Sequence, residues 1–176
     1  MRDRSIGSGL HSIVRVCRLP GGEQTGKDPT NRGKLGTKRH LVVDRAGLPL
    51  AVTISGANVH DSKLLEEAVD AIPPPRLPGK RRGRPRKRPV KLHADKGYDY
   101  PRCRRALRAR GIVPRIARRG VESSERLGRY RWVVERTLSW LNRCRGLKVR
   151  YERRADIHHA FLTLGCALIC WQALHQ

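Results

Sequence analysis

Two acids stand out by residue type and setting. Asp95 closes the stretch Val-Lys-Leu-His-Ala-Asp (90–95), and Glu135 lies in the middle of a long periodic stretch from Ser124 to about Cys144. The chain carries 39 Lys and Arg against 15 Asp and Glu, a formal net charge of +24, so every carboxylate sits in a strongly positive potential. Two carboxylates brought to one side of a sheet beside a cationic groove would hold hard divalent cations, Mg²⁺ or Mn²⁺. A pair of such ions about 4 Å apart suits in-line displacement at phosphorus, one activating a water or a 3′-hydroxyl and the other stabilising the departing oxygen. Each acid also has a plainer reading. Asp95 before Lys96-Gly97 suits a turn or a cap, and Arg131 one turn before Glu135 suits a solvated i,i+4 ion pair.

The elements that must position these acids follow from hydrophobic period and punctuation. Ser12 to Cys17 is rich in β-branched residues and reads as a strand. Gly21 to Lys38 reads as a polar, glycine-rich loop bearing Lys27, Arg32, Lys34 and Lys38, with Arg39 directly after it. Arg39–Asp44 and Leu50–Ser55 read as a hairpin bent at Gly47. Asp61 is placed as the cap of a helix whose apolar positions are Leu64, Leu65, Ala68, Val69 and Ile72, stopped by Pro73-Pro74-Pro75. Val90–Asp95 is a strand, Tyr100–Arg110 a short basic helix, and Ile112–Ala117 a further strand. Ser124 caps the long helix, with Leu127, Tyr130, Val134, Leu138 and Leu141 as its stripe. Lys148–Arg154 reads as a polar connector. Asp156 caps a final helix that is apolar nearly all round and is therefore expected to be central. The order β–β–β–α–β–α–β–α–α argues a sheet with helices packed on it, α/β or α+β.

At 176 residues the chain fits one domain, and 38% hydrophobic residues suffice for a core and exclude a wholly disordered basic tail. Clustered Lys and Arg on a globular domain point to nucleic acid, since phosphate contacts release counterions. Residues 76–91 hold nine Lys and Arg and no acid, and a basic, Pro-rich exposed loop is expected over 73–90. Within it Arg82-Gly83-Arg84-Pro85 resembles an AT-hook core that lies in an A·T-rich minor groove; the alternative is a charged loop without groove preference. Trp132 and Trp140 flank Glu135, where they either stack on bases or pack on the sheet. Five cysteines in irregular spacing lack a zinc pattern and fit reduced thiols, with Cys166 and Cys170 as small buried residues. The apolar run Ala160–Leu174 spans roughly fifteen residues against the roughly twenty needed to cross a bilayer, so a buried helix and no membrane span are expected. Residues 1–8 read as a disordered or arbitrary start without a signal core.

Four stretches carry a resemblance: Arg32-Gly-Lys-Leu-Gly-Thr-Lys-Arg-His-Leu-Val-Val-Asp44, Gly56-Ala-Asn-Val-His-Asp61, His93-Ala-Asp-Lys-Gly-Tyr-Asp99 and Arg131-Trp-Val-Val-Glu-Arg-Thr-Leu-Ser-Trp-Leu-Asn-Arg143. Together with the segment from Tyr151 to Ala167, they resemble the catalytic domain of bacterial insertion-sequence transposases of the Asp-Asp-Glu type, over nearly the whole chain from about residue 9. The resemblance implies an α/β ribonuclease-H-like mixed sheet with helices packed on it over residues 9–176, N-terminally incomplete. It implies divalent metal (Mg²⁺ or Mn²⁺), double-stranded DNA as partner (transposon ends and target), a homo-oligomer when active, and a bacterial cytoplasmic, nucleoid-associated setting. Carried over, Asp95 matches the second acid and Glu135 the third, both as metal ligands and catalytic residues, and Arg131 matches an arginine that contacts DNA. The related pattern's tyrosine and lysine fall at Gly128 and Asn142, with Tyr130 and Arg143 nearby; Arg143, Arg82 and Arg84 join Arg131 as DNA-binding candidates. The first acid is the departure: its position falls on Leu10 or His11, and neither is Asp. A neutral His11 ligates metal without replacing the lost charge. The expected activity is therefore cleavage and strand transfer at transposon ends, impaired in this chain, with a non-catalytic DNA-binding truncated product as the alternative. A pseudogene-like fragment, or a downstream half whose upstream half is separately encoded, would each produce such a chain.

Overall fold

The computed structural model describes residues 10–18, 21–74, 88–121 and 124–175; for residues 10–18 and 124–131 the backbone alone is described. The first stretch of β-branched residues forms strand β1 (Leu10–Arg18). It pairs antiparallel with β3 (Leu35–Val43), which pairs antiparallel with β4 (Pro49–Gly56) and, at its start, with the two-residue β2 (Gly26–Lys27). On its other edge β1 pairs parallel with β5 (Lys91–Ala94), and β5 pairs parallel with β6 (Val113–Ile116). The result is one six-stranded mixed sheet with β1 near its centre. Gly47, at φ +88°, makes the β3–β4 bend that the sequence places there.

Alternation along the strands assigns the two faces. Val42, Leu92, Ala94 and Ile116 meet Leu65, Ala68 and Val69 of α1 (Leu65–Asp70) and Cys103 and Leu107 of α2 (Pro101–Ala109). Leu41, Val43 and Ile54 face the other way. They meet Val133, Val134, Leu138 and Leu141 of α3 (Ser124–Leu141), Leu147 of α4 (Arg145–Lys148), and Leu162 and Ile169 of α5 (Ala155–Leu174). Sheet and helices thus form three layers around two apolar cores.

Several sequence expectations need correction. β3 starts at Leu35 rather than Arg39, because its polar residues are satisfied where a loop would have solvated them. The Thr37 hydroxyl donates to the Gln24 carbonyl (2.9 Å), and the Lys38 ammonium donates to the Val59 carbonyl (2.8 Å). The segment expected as a polar connector holds Arg150, fully buried, which donates to Thr37 Oγ1 (2.8 Å) and to the Glu152 and Arg153 carbonyls. Arg39, buried beside it, donates to the Leu147 carbonyl and Asn142 Oδ1, both at 2.9 Å. These arginines tie the first hairpin to the C-terminal half. Asp156 does not cap α5. Arg154 holds the cap position and pairs with Asp156 (2.6 Å), while the Ala155 N–H is taken by Glu23 Oε2 (3.0 Å).

The largest correction concerns α5 itself. It is a surface helix, not a central one: His158, Leu162, Gly165 and Ile169 are buried, and much of the remainder is exposed. Its apolar character all round therefore does not reflect burial all round. Gly165 permits the close approach on the inner side, since a Cβ there would lie 2.8 Å from Leu147 Cδ1 and 3.0 Å from Leu141 Cδ2. At 20 residues and mean hydropathy 1.4, α5 reaches the length and composition of a membrane span, which the shorter run read from sequence did not. One side of it is nevertheless committed to the core, where Leu162 is fully buried. Cys166 and Cys170 are partly buried, and burial pushes the Cys166 thiol up to about 12. Ser124 is the first residue of α3; its side chain, the side chain of Cys17 and the basic stretch 75–87 lie outside what is described.

Candidate functional site

β5 ends at Ala94, and Asp95 follows in extended conformation (φ −76°, ψ 180°). Leu92 and Ala94 face the α1/α2 core, so alternation assigns positions 93 and 95 to the face that carries α3. Asp95 also caps a short 3₁₀ turn, Lys96–Tyr98, by accepting the Gly97 N–H at Oδ1 (2.8 Å). The cap reading of Asp95 thus holds in the structure. The β1–β5 register sets position 11 opposite His93 and position 12 opposite Ala94. Position 11 thus lies on the neighbouring strand, level with residue 93 and two residues short of the level of Asp95.

A second carboxylate stands beside Asp95, and sequence reasoning had given it another task. Asp61 does not cap α1, whose cap position is Leu64 without a side-chain bond; it opens a 3₁₀ turn, Asp61–Lys63, that His60 caps by accepting the Ser62 N–H at Nδ1 (3.3 Å). The Asp61 carboxylate instead pairs with Lys38 Nζ (2.7 Å). A Cβ on Gly97 would lie 2.9 Å from Asp95 Oδ1 and 3.9 Å from Asp61 Oδ2, so both acids border one small space that a glycine leaves open. Behind Lys38 lies His40, buried and sharing a 2.7 Å hydrogen bond from Nε2 to Ser55 Oγ. Burial pushes its pKa down to about 4, and the neighbouring Lys38 acts in the same direction. Both Asp61 and Lys38 fall inside the motif stretches quoted above. The signal was present, but a cap explained Asp61 locally and a loop explained Lys38.

Arginines bind the residues next to these two acids. Arg119 lies over the Tyr100 ring (5.0 Å to the centroid) and donates to its hydroxyl (3.2 Å) and to the Lys96 carbonyl (3.2 Å). Arg102 sits over the same ring at 5.8 Å and donates to Ser62 Oγ (2.6 Å). Asp99 is held below the usual carboxylate range by its hydrogen bond from Arg104 (2.7 Å) and by the Arg119 N–H. Asp99 is therefore committed to its arginines.

Glu135 is exposed on α3, whose Val133, Val134 and Leu138 are buried against the sheet. α3 lies against β1 and β3, so the structure brings the helix of Glu135 and the position of Asp95 to one side of the sheet. Arg131 is one turn before Glu135 on that helix, where the backbone alone is described, and Arg143 is exposed just past the helix end. Arg82 and Arg84 lie outside the described residues. Trp132 and Trp140 behave differently from each other. Trp140 is partly buried against the core, Trp132 is half exposed, and the Arg136 guanidinium lies between them, 4.5 Å from the Trp132 centroid and 4.9 Å from that of Trp140.

The donor set suits one hard cation better than a closed cage. Among the described residues no group of three or more His, Cys, Asp or Glu converges to hold a metal. Mg²⁺ commonly binds through one or two carboxylates and keeps several waters, so carboxylates that border an open, glycine-floored space fit it.

The sheet order, with three antiparallel strands, two parallel strands beyond them and helices on both faces, defines a ribonuclease-H-like fold. The chain is similar in fold to the catalytic core domain of BIV integrase, at 15% identity and a TM-score of 0.50, covering 90% of this chain and 80% of that one. Residues 11–170 match the family model described as "Transposase DDE domain". The chain is 54% identical over 174 residues to "Putative transposase for insertion sequence element IS402" of Burkholderia cepacia, covering 99% of this chain and 81% of that protein. It is 32% identical over 132 residues to "Transposase for insertion sequence element IS1106" of Neisseria meningitidis serogroup B, covering 69% of this chain and 40% of that one. The chain belongs to the bacterial insertion-sequence transposases of the DDE type.

Proposed function

We propose that this chain performs metal-dependent phosphodiester cleavage and strand transfer at transposon ends, with Asp95 and Glu135 as the acids and with activity reduced by the lack of a first acid. One observation supports the reading: Asp95 directly follows β5, and strand alternation assigns its position to the sheet face on which α3, the helix of Glu135, is packed. A bound divalent cation (Mg²⁺ or Mn²⁺) supplies the positive charge that activates the attacking oxygen and offsets charge on the departing one. The Asp95 and Glu135 carboxylates would hold it. Asp61, beside Asp95, adds negative charge that Lys38 partly offsets. Arg131 and Arg143 would bind phosphates of double-stranded DNA, and Arg82 and Arg84 a minor groove. The active form would be a homo-oligomer working at the nucleoid.

A specific observation also favours the second reading, a DNA-binding product without catalysis: the described residues contain no three-acid group. Nicking of a terminal-repeat duplex in Mn²⁺ separates the two. Slow nicking that Asp95→Asn and Glu135→Gln each abolish supports the enzyme. Binding without nicking supports the second reading, and fast nicking refutes the impairment. A readout independent of activity is thermal stability: titrated Mg²⁺ or Mn²⁺ raises Tm in wild type by relieving carboxylate repulsion, and does so less in Asp95→Asn. An unchanged Tm across the titration counts against a preformed site.

A further inference from the structure

We propose that the outward face of α5 is a self-association seam, on which a second copy of this chain docks its own α5. Ile157, Phe161, Leu164, Leu168 and Trp171 follow one another at spacings of four, three, four and three. They are 41%, 49%, 57%, 50% and 61% exposed. At 3.6 residues per turn these five positions fall within a stripe about 80° wide. That is the narrow 3.5-residue repeat by which one helix interlocks with another, and not the broad face of a helix lying on a sheet. The sheet-facing side of α5 is a separate strip, formed by His158, Leu162, Gly165 and Ile169. His175 extends the outer stripe by one step, its ring tilted against that of Trp171 at 4.4 Å between centroids.

Size and charge identify the occupant. The five side chains expose roughly 500 Å² together, near the upper end of what a lone soluble protein leaves bare. With its flanks the patch approaches the ~800 Å² that each partner contributes to a stable interface. From residue 155 to residue 176 the sequence has no Lys and no Arg, although the whole chain has 39. DNA is therefore not drawn to this face. Two copies at +24 each can meet here along a helix that itself carries no Lys or Arg. The segments outside the described residues carry few apolar side chains to match the stripe. Residues 1–9 offer only Met1 and Ile6 as large apolar residues, and residues 75–87 only Leu77. A bilayer surface is a poor match because a helix lying on it takes Lys and Arg at its polar margin. A copy of the same helix supplies the same stripe at the same concentration, and a two-fold axis makes the contact self-complementary. The inference goes beyond the proposed cleavage and does not depend on Asp95 or Glu135.

Sedimentation equilibrium of the 176-residue chain tests it, from low micromolar to about 0.1 mM, the range in which a contact of micromolar Kd forms. Wild type is expected to approach twice the monomer mass. Leu164→Glu with Leu168→Glu is expected to stay at the monomer mass with an unchanged far-UV circular dichroism spectrum. Thr163→Glu, exposed on the same helix but well off the stripe, is expected to dimerise like wild type. If the double variant loses its fold, Phe161→Gln serves in its place and should weaken the dimer. A wild type that stays monomeric throughout overturns the proposal, as does a dimer indifferent to the stripe variants or equally broken by Thr163→Glu. A monomer that floats with neutral phosphatidylcholine vesicles overturns it too, assigning the stripe to lipid.

Discussion

At the scale of single residues, the smallest side chain at the site makes the sharpest prediction. Gly97 donates its N–H to Asp95 Oδ1, and a Cβ on it would sit 2.9 Å from that oxygen, with Asp61 Oδ2 at 3.9 Å. The contacted atoms are carboxylate tips, which rotate cheaply, so Gly97→Ala should leave the fold intact and turn the Asp95 carboxylate aside. We expect a urea midpoint close to wild type together with loss of the Mg²⁺-induced rise in Tm; retention of that rise would show that Asp95 tolerates the shift. His40 makes a prediction about pH. Its folded pKa, about 4, lies below the ordinary 6.5 because the ring is buried, so between those values the unfolded chain binds more protons than the folded one. Stability contributed by neutral His40 is present above about pH 6.5 and is lost as pH falls toward 4, an effect on the order of 3 kcal/mol at 1.36 kcal/mol per unit. Burial also lowers the pKa of His158, which adds a loss of the same sign. Asp70, held at about 2 by Arg110, titrates below this window. Urea midpoints at pH 7.5 and 4.5 should differ strongly in wild type and less in His40→Gln; equal differences would refute the assignment to His40.

At the scale of elements, α5 shows both what the sequence revealed and what it withheld. Its length, its start near Asp156 and its apolar character were legible; its position was not. A helix that is apolar all round is expected to be buried all round, yet the sheet offers α5 only one strip, because α3 shares the same face. Composition gives no information about how many neighbours a helix has. The start of β3 was misread for the opposite reason: Thr37 and Lys38 look like loop residues until their partners, 13 to 23 positions away, are known. The strand that ends at Asp95, the helix of Glu135 and the hairpin at Gly47 were legible because local period and turn chemistry determine them. Asp61 was visible in a motif but hidden by its helix-start position, and only the Lys38 contact reveals its second setting. Packing of α5 on its inner side is testable at Gly165, where added atoms meet Leu147 and Leu141 at 2.8 and 3.0 Å. Gly165→Val should cost about 1–3 kcal/mol by overpacking, read as a lower urea midpoint. A neutral or stabilising result would mean that α5 can move away from α3 and α4 at little cost.

At the scale of the whole molecule, charge is divided between two tasks. All 39 Lys and Arg lie before residue 155, whereas α5 has none. An excess of +24 favours phosphate contact through released counterions, so DNA affinity should fall linearly on a log–log plot against salt, by about 0.9 for each phosphate neutralised. Arg82 and Arg84 separate two kinds of contact within that total. If both meet phosphates only, Arg82→Ala with Arg84→Ala flattens the slope by about 2 and weakens A·T-rich and G·C-rich duplexes alike. If the Arg-Gly-Arg-Pro core lies in a minor groove, the same variant removes a preference for A·T-rich duplex, because groove width and the guanine amino group discriminate there. We expect the second pattern. Fluorescence anisotropy with the two duplexes over a salt series decides it, and a double variant that keeps the A·T preference would reduce 73–90 to a charged loop without groove preference.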